Sequence, residues 1–103
     1  ADAGSKVVVG PEDGKASKPQ PIVTELSGTC EALSLGTLFV NDKGTPKLHM
    51  HAAFGRKGRT VTGCTREGIL VWRIGEAVIF ELLNTTAARR IDPVTGFELL
   101  EME

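Results

Sequence analysis

The chain has 103 residues, 41% hydrophobic and 24% charged, a balance that excludes wholesale disorder. Twelve Lys and Arg against thirteen Asp and Glu give a net charge of -1, which excludes a strong overall attraction to nucleic acid. No apolar run reaches membrane-span length, and the first residues lack the order of a secretory signal. Two cysteines are too few for a disulfide-stapled fold, although they allow a single bridge. We therefore expect one domain over residues 1–103 in a reducing compartment.

The first 40 residues predict short strands joined by loops. Residues 6–9 are predicted as a strand, and residues 10–21 as a mobile loop because they are rich in Pro, Gly and polar residues. Residues 21–26 predict a second strand. For residues 30–40 the β-branched and aromatic end favours a strand, with a helix over residues 31–35 as the alternative.

The clearest pattern follows a predicted turn at residues 41–44. From residue 46 to residue 54 the even positions are all apolar, whereas the odd positions are Lys47, His49, His51 and Ala53. Strict alternation is typical of a half-buried strand. Residues 55–58 predict a turn and residues 59–65 the second arm of a hairpin.

The rest of the chain predicts further strands. Residues 69–74 and 77–83 are predicted strands, although residues 77–83 have helical propensity as well. Residues 89–96 predict a turn, and residues 97–100 a short edge strand.

The two histidines and one cysteine form the candidate metal site. His49 and His51 lie two residues apart and share the face opposite the apolar one, and the hairpin brings Cys64 alongside. Two imidazoles and a thiolate suit Zn²⁺ with an open fourth position. The alternative is two exposed histidines and an ordinary core cysteine. Cys30 is predicted to be a buried thiol.

Two clusters of positive charge are candidate anion or nucleic-acid contacts. Arg56, Lys57 and Arg59 lie among glycines at the predicted hairpin turn and suit contact with phosphate groups. Charged side chains at a solvent-exposed turn, without any ligand, also explain the same pattern. Arg89 and Arg90 are placed to bind an anion or to pair with a nearby carboxylate of the protein. The five residues are Arg56, Lys57, Arg59, Arg89 and Arg90.

The Glu-Ala-Leu-Ser-Leu-Gly-Thr-Leu run at residues 31–38 is followed by an acidic turn at residues 42–44 and by a Pro-Lys-Leu-His-Met-His-Ala-Ala-Phe-Gly run at residues 46–55. These segments resemble the plant-and-prokaryote conserved domain. Gly63-Cys64, the Gly-Glu-Ala-Val-Ile-Phe-Glu-Leu run at residues 75–82 and the Arg-Arg-Ile-Asp-Pro-Val-Thr-Gly run at residues 89–96 agree with it in order and spacing. The resemblance covers about residues 22–100.

The resemblance implies an α+β, β-dominated domain on an antiparallel sheet that assembles as a homotrimer. Relative to that family the chain lacks an N-terminal strand and helix, which would leave part of a sheet face exposed. Zinc-bound members supply a third histidine where this chain has Cys64. If the chain is similar to the prokaryotic members, the resemblance implies a cytoplasmic protein. If it is similar to the plant members, which carry a separate AT-hook, the resemblance implies a nuclear protein.

Two functions follow from these observations. The first is a trimeric interaction module, associated with DNA or transcription. The second is a small zinc protein or zinc enzyme in which Glu67 or Glu76 acts as general base.

Overall fold

The structure is a computed structural model that describes residues 1–102. Within those residues the only regular secondary structure is the β-strand. They are β1 Lys6–Pro11, β2 Pro21–Glu25, β3 Glu31–Val40, β4 Pro46–Arg56, β5 Arg59–Cys64, β6 Ala88–Ile91 and β7 Glu98–Glu101. The β-dominated, antiparallel expectation is confirmed, while the helical part of the α+β expectation has no counterpart in residues 1–102.

The strands form one larger sheet and one ribbon. The larger sheet has the order β2-β1-β5-β4-β3 with every neighbour antiparallel, so β2 and β3 are its edges. Strands β6 and β7 pair as a separate ribbon, joined to the end of β3 by a bridge between Asn41 and Arg89. No helix in residues 1–102 is long and apolar enough to cross a membrane.

Local turn chemistry explains the two hairpins around β4. The carboxamide oxygen of Asn41 accepts hydrogen bonds from the backbone of Lys43 at 3.0 Å and of Thr45 at 2.9 Å, which closes the β3–β4 turn. Between β4 and β5, Lys57 and Gly58 have φ angles of 50° and 73°, the signs that a two-residue type I′ turn requires. The predicted turn at residues 41–44 and the strand interpretation of residues 30–40 are therefore confirmed. The predicted turn at residues 55–58 shortens to Lys57 and Gly58, because β4 continues to Arg56.

The alternation of β4 places a small core on one face of the larger sheet. Phe54 is 2% exposed and Ala52 is 4% exposed, and they pack with Val7 and Leu26. Toward the start of β4 the burial stops, since Leu48 is 62% exposed. The predicted half-buried strand is present, but only its second half is covered.

Several predicted boundaries change. The predicted loop at residues 10–21 shortens to 12–20, because β1 and β2 extend into its two ends. Residues 89–91 belong to β6, so only the second half of the predicted turn at residues 89–96 is a turn. The predicted edge strand at residues 97–100 is present as β7.

The predicted strands at residues 69–74 and 77–83 are wrong. Neither segment has strand structure, and all of residues 70–86 are exposed. A strand needs a neighbour to receive its backbone hydrogen bonds, and the sheets in residues 1–102 pair other segments. Residues 77–83 therefore carry a strand-forming sequence without a partner in the described chain.

Gly63 permits the close approach of β1 to β5. A Cβ atom at Gly63 would overlap the carbonyl oxygen of Val8, whereas one at Gly55 would meet nothing within 4 Å. We expect Gly63→Ala to lower the free energy of unfolding by about 1–3 kcal/mol, the usual effect of overpacking. Gly55→Ala, the matched control, should change it by less than about 0.5 kcal/mol. Urea denaturation measures both, and equal midpoints for the two variants would contradict the close approach.

Candidate functional site

His49 and His51 form a pair on the face of the larger sheet opposite the core. They occupy odd positions of β4, and their Nε2 atoms lie 2.9 Å apart. The ring centroids are 4.9 Å apart with the planes tilted by 48°. At that distance the N–H of one ring donates to the unprotonated nitrogen of the other. The same-face geometry predicted from the sequence is present.

Cys64 lies on the neighbouring strand, directly across from His51. His49 has a different neighbour, because β5 ends at Cys64 and His49 pairs instead with Thr37 on β3. In residues 1–102 no group of three or more His, Cys, Asp or Glu side chains is close enough to hold a metal ion. Two imidazoles therefore converge, and the structure does not gather the thiol with them.

Neither candidate general base lies at the histidine pair. Glu67 is exposed and does not line the cavity beside the histidines, and Glu76 lines the cavity on the opposite, core-side face. Cys30, predicted to be buried, is half-buried, and its thiol donates to the carbonyl of Gly28 at 3.2 Å.

Arg89 is the buried cation next to the histidines. It is 6% exposed, and its Nη2 donates to the hydroxyl of Thr37 at 2.9 Å. Its Nη1 makes a longer bond, 3.4 Å, to the backbone oxygen of Glu98, and its Nε has no hydrogen-bond partner within the described chain. Because Thr37 pairs with His49, the guanidinium of Arg89 lies beside the histidine pair.

A cavity of about 860 Å³ opens between this face of the sheet and the β6–β7 ribbon. Both histidines, Cys64 and three cationic side chains line it, the cations being Lys47, Arg66 and Arg89. The one carboxylate in the lining belongs to Glu98, which pairs with Lys47 at 3.3 Å. The cavity therefore carries an excess of positive charge.

The other predicted cations lie apart from this cavity. Arg56 is at the end of β4 and donates to the backbone oxygen of Thr29 at 2.8 Å, while Lys57 and Arg59 are exposed around the hairpin turn. Arg90 forms an exposed ion pair with Glu101 at 2.8 Å, of a kind that contributes at most about 1 kcal/mol. The structure thus brings only Arg89 of the five to the histidines.

The sequence patterns did not reveal the association of Arg89 with His49. The arginine and the threonine it contacts are 52 residues apart, and no local spacing connects them. The sequence patterns also did not indicate Arg66 as a residue of this cavity, although its position two residues after Cys64 could have done so.

Residues 3–83 match the Plants and Prokaryotes Conserved (PCC) domain. That match covers most of the 103 residues. The chain belongs to the PCC domain family. The match includes the N-terminal strands and both histidines, and ends before the ribbon that supplies Arg89. The chain has no significant match among curated proteins or among solved structures.

The environment of His49 in this PCC domain lowers its pKa below the ordinary value. Partial burial is the largest cause, followed by the positive charges of Arg89, His51 and Arg66. His49 is therefore neutral at pH 7 and has a lone pair for a metal or a proton donor.

We expect the pKa of His49, followed by its imidazole NMR signals, to lie below about 6.5. Arg89→Gln should raise it and Arg66→Gln should raise it less, because each removes a positive charge, whereas Arg59→Gln should leave it unchanged. Since the unfolded chain binds the proton more readily, stability should fall as the pH drops below about 6.5 toward the folded pKa. A pKa at or above the ordinary value would contradict the cationic surroundings.

Proposed function

We propose that the chain is a PCC-type interaction module that functions as a homotrimer. The observation that carries the proposal is the imbalance between core and surface. In residues 1–102 six hydrophobic side chains are buried, whereas 22 large hydrophobic side chains are exposed. A surface of this kind is typical of a subunit that is covered by a partner.

The dimensions of the single chain support this. Its accessible surface is 8058 Å², against about 5,600 Å² for a folded monomer of 11.0 kDa. Its radius of gyration is 15.3 Å, against about 13 Å for a compact domain of this length. The excess of about 2,400 Å² exceeds the area that a specific interface needs.

Two complementary surfaces are available for the contact. Strand β3 is a ten-residue edge of the larger sheet, and its Leu33 and Leu35 are 81% and 84% exposed. Residues 77–83 contain Val78, Ile79 and Phe80, each more than 80% exposed, in a segment that lacks a strand partner. Residues 77–83 of one copy can therefore add to the β3 edge of the next.

Such a contact uses different surfaces on its two sides, so it must either close into a ring or form a filament. The family resemblance implies closure at three copies. The copies covering the exposed surface would also supply backbone partners for residues 77–83, which explains why a strand-forming sequence lacks strand structure in one chain.

Association with DNA is a secondary part of this proposal. The exposed cations Lys57 and Arg59 around the hairpin turn can contact phosphates, but the chain as a whole carries a charge of -1. Binding through these residues would be independent of base sequence and would weaken steeply with salt.

We expect the chain to elute as a species of about 33 kDa in size-exclusion chromatography with light scattering, three times the mass of one chain. Leu35→Glu and Phe80→Glu should each dissociate it, because either places a charge in the apolar contact. Val94→Glu is the matched control, an exposed apolar residue in the ribbon turn, and should leave the mass unchanged. A folded wild-type chain of about 11 kDa at all concentrations would contradict the proposal.

A second candidate function, a small zinc protein, is supported by the converging histidine nitrogens. Tetrahedral Zn²⁺ at ordinary bond lengths separates two ligand nitrogens by about 3.3 Å. The 2.9 Å separation of the two Nε2 atoms needs only a small widening to match. His49 and His51 would hold the ion. Cys64 lies on the adjacent strand β5, and its thiol would have to move toward the ion to become the third ligand. A bound zinc with an open position would supply an activated water.

We expect the untagged protein to bind close to one Zn²⁺ per chain by elemental analysis, and His51→Ala to lose it. Cobalt substitution tests Cys64 separately, because a coordinated thiolate gives an intense near-ultraviolet absorption that Cys64→Ser should abolish. Cys30→Ser is the matched control and should retain both signals. Failure of the wild-type protein to retain zinc after zinc is supplied and the excess removed would eliminate this candidate.

A further inference from the structure

Arg89 is a buried cation whose charge and hydrogen-bond donors are incompletely satisfied. A guanidinium has five N–H groups. Two are engaged, by Thr37 and by the backbone of Glu98, and within residues 1–102 no carboxylate lies within ion-pair distance. Its Nε has no partner at all in the described chain. Burying an uncompensated charge is costly, so a site of this kind calls for an anion.

The surroundings strengthen the need for an anion. Arg66 lines the same cavity and forms no ion pair within the described residues. Lys47 also lines it, and its charge is shared with Glu98. Two arginines thus face one cavity whose lining carboxylate is already paired.

We propose that this cavity is a binding site for a small organic anion, a carboxylate or phosphate attached to an apolar body, with Arg89 and Arg66 as its charge-binding residues. Planar guanidinium groups bind carboxylate and phosphate oxygens through paired hydrogen bonds. The apolar body is assigned from the rest of the lining, which includes Val8, Leu48, Phe97 and Leu99. The volume of about 860 Å³ is far larger than a lone inorganic ion needs and is typical of a small-molecule site.

The burial of Arg89 favours a small ligand over nucleic acid. Arg89 lines the cavity, but only 6% of its surface is exposed, so it does not lie on an outer surface that a duplex backbone reaches. The candidate zinc ligands His49, His51 and Cys64 line the same cavity, but the groups assigned to the anion are different ones, the guanidinium groups of Arg89 and Arg66.

Matched probes separate the head group from the apolar body. Hexanoate and hexyl phosphate carry both features, hexanol lacks the charge and inorganic phosphate lacks the body. Calorimetric titrations at constant ionic strength, with the neutral chelator 1,10-phenanthroline present to remove metal, should show saturable binding of hexanoate or hexyl phosphate. Hexanol and inorganic phosphate should each bind at least about tenfold more weakly. The tighter of the two six-carbon anions identifies the natural head group.

The variants assign the binding to the cavity. Arg89→Gln and Arg66→Gln should each weaken the tighter probe by about tenfold or more, since each removes a charge-assisted hydrogen bond. Arg59→Gln removes an exposed charge outside the cavity and should leave binding unchanged. Arg66 is exposed, so its variant keeps the test decisive if Arg89→Gln fails to fold. Equal binding of hexanol and hexanoate, no saturable binding, or equal effects of Arg66→Gln and Arg59→Gln would overturn the proposal.

Discussion

Strand β4 pairs with β3 along one edge and with β5 along the other, and its alternation determines what each face of the larger sheet can do. One set of its side chains, ending in Ala52 and Phe54, forms the core with Val7. The other set carries His49 and His51 toward the ribbon and the cavity. A shift of one residue in this pairing would exchange the two faces and abolish both core and site. Stability and function therefore depend on the same register.

The core that β4 organises is too small for the apolar surface the chain carries. Leu33 and Leu35 on the outer strand, and the apolar run around Ile79, face solvent in a single chain. Exposed apolar surface and an unpaired strand edge both favour association. Assembly would thus complete the fold as well as create a surface for partners, so that folding and oligomerisation are coupled.

The sequence predicts the features that neighbouring residues determine, but it does not predict those that depend on a partner distant in the chain. The β4–β5 hairpin and the His49–His51 face follow from alternation and turn residues within twenty positions, and both are present. Residues 77–83 have the composition of a strand, but strand formation requires a neighbour that the described chain does not provide. The placement of Arg89 beside His49 depends on the ribbon docking across the sheet, which no local period encodes.

Backbone hydrogen exchange at residues 77–83 tests the central claim most directly, that copies of the chain cover one another through this segment. Amide protection reports whether these residues gain hydrogen-bond partners. Strong protection that rises with protein concentration, together with protection along the β3 edge, is the predicted result. Rapid exchange of residues 77–83 at every concentration, in a chain whose β4 and β5 amides remain protected, would contradict it.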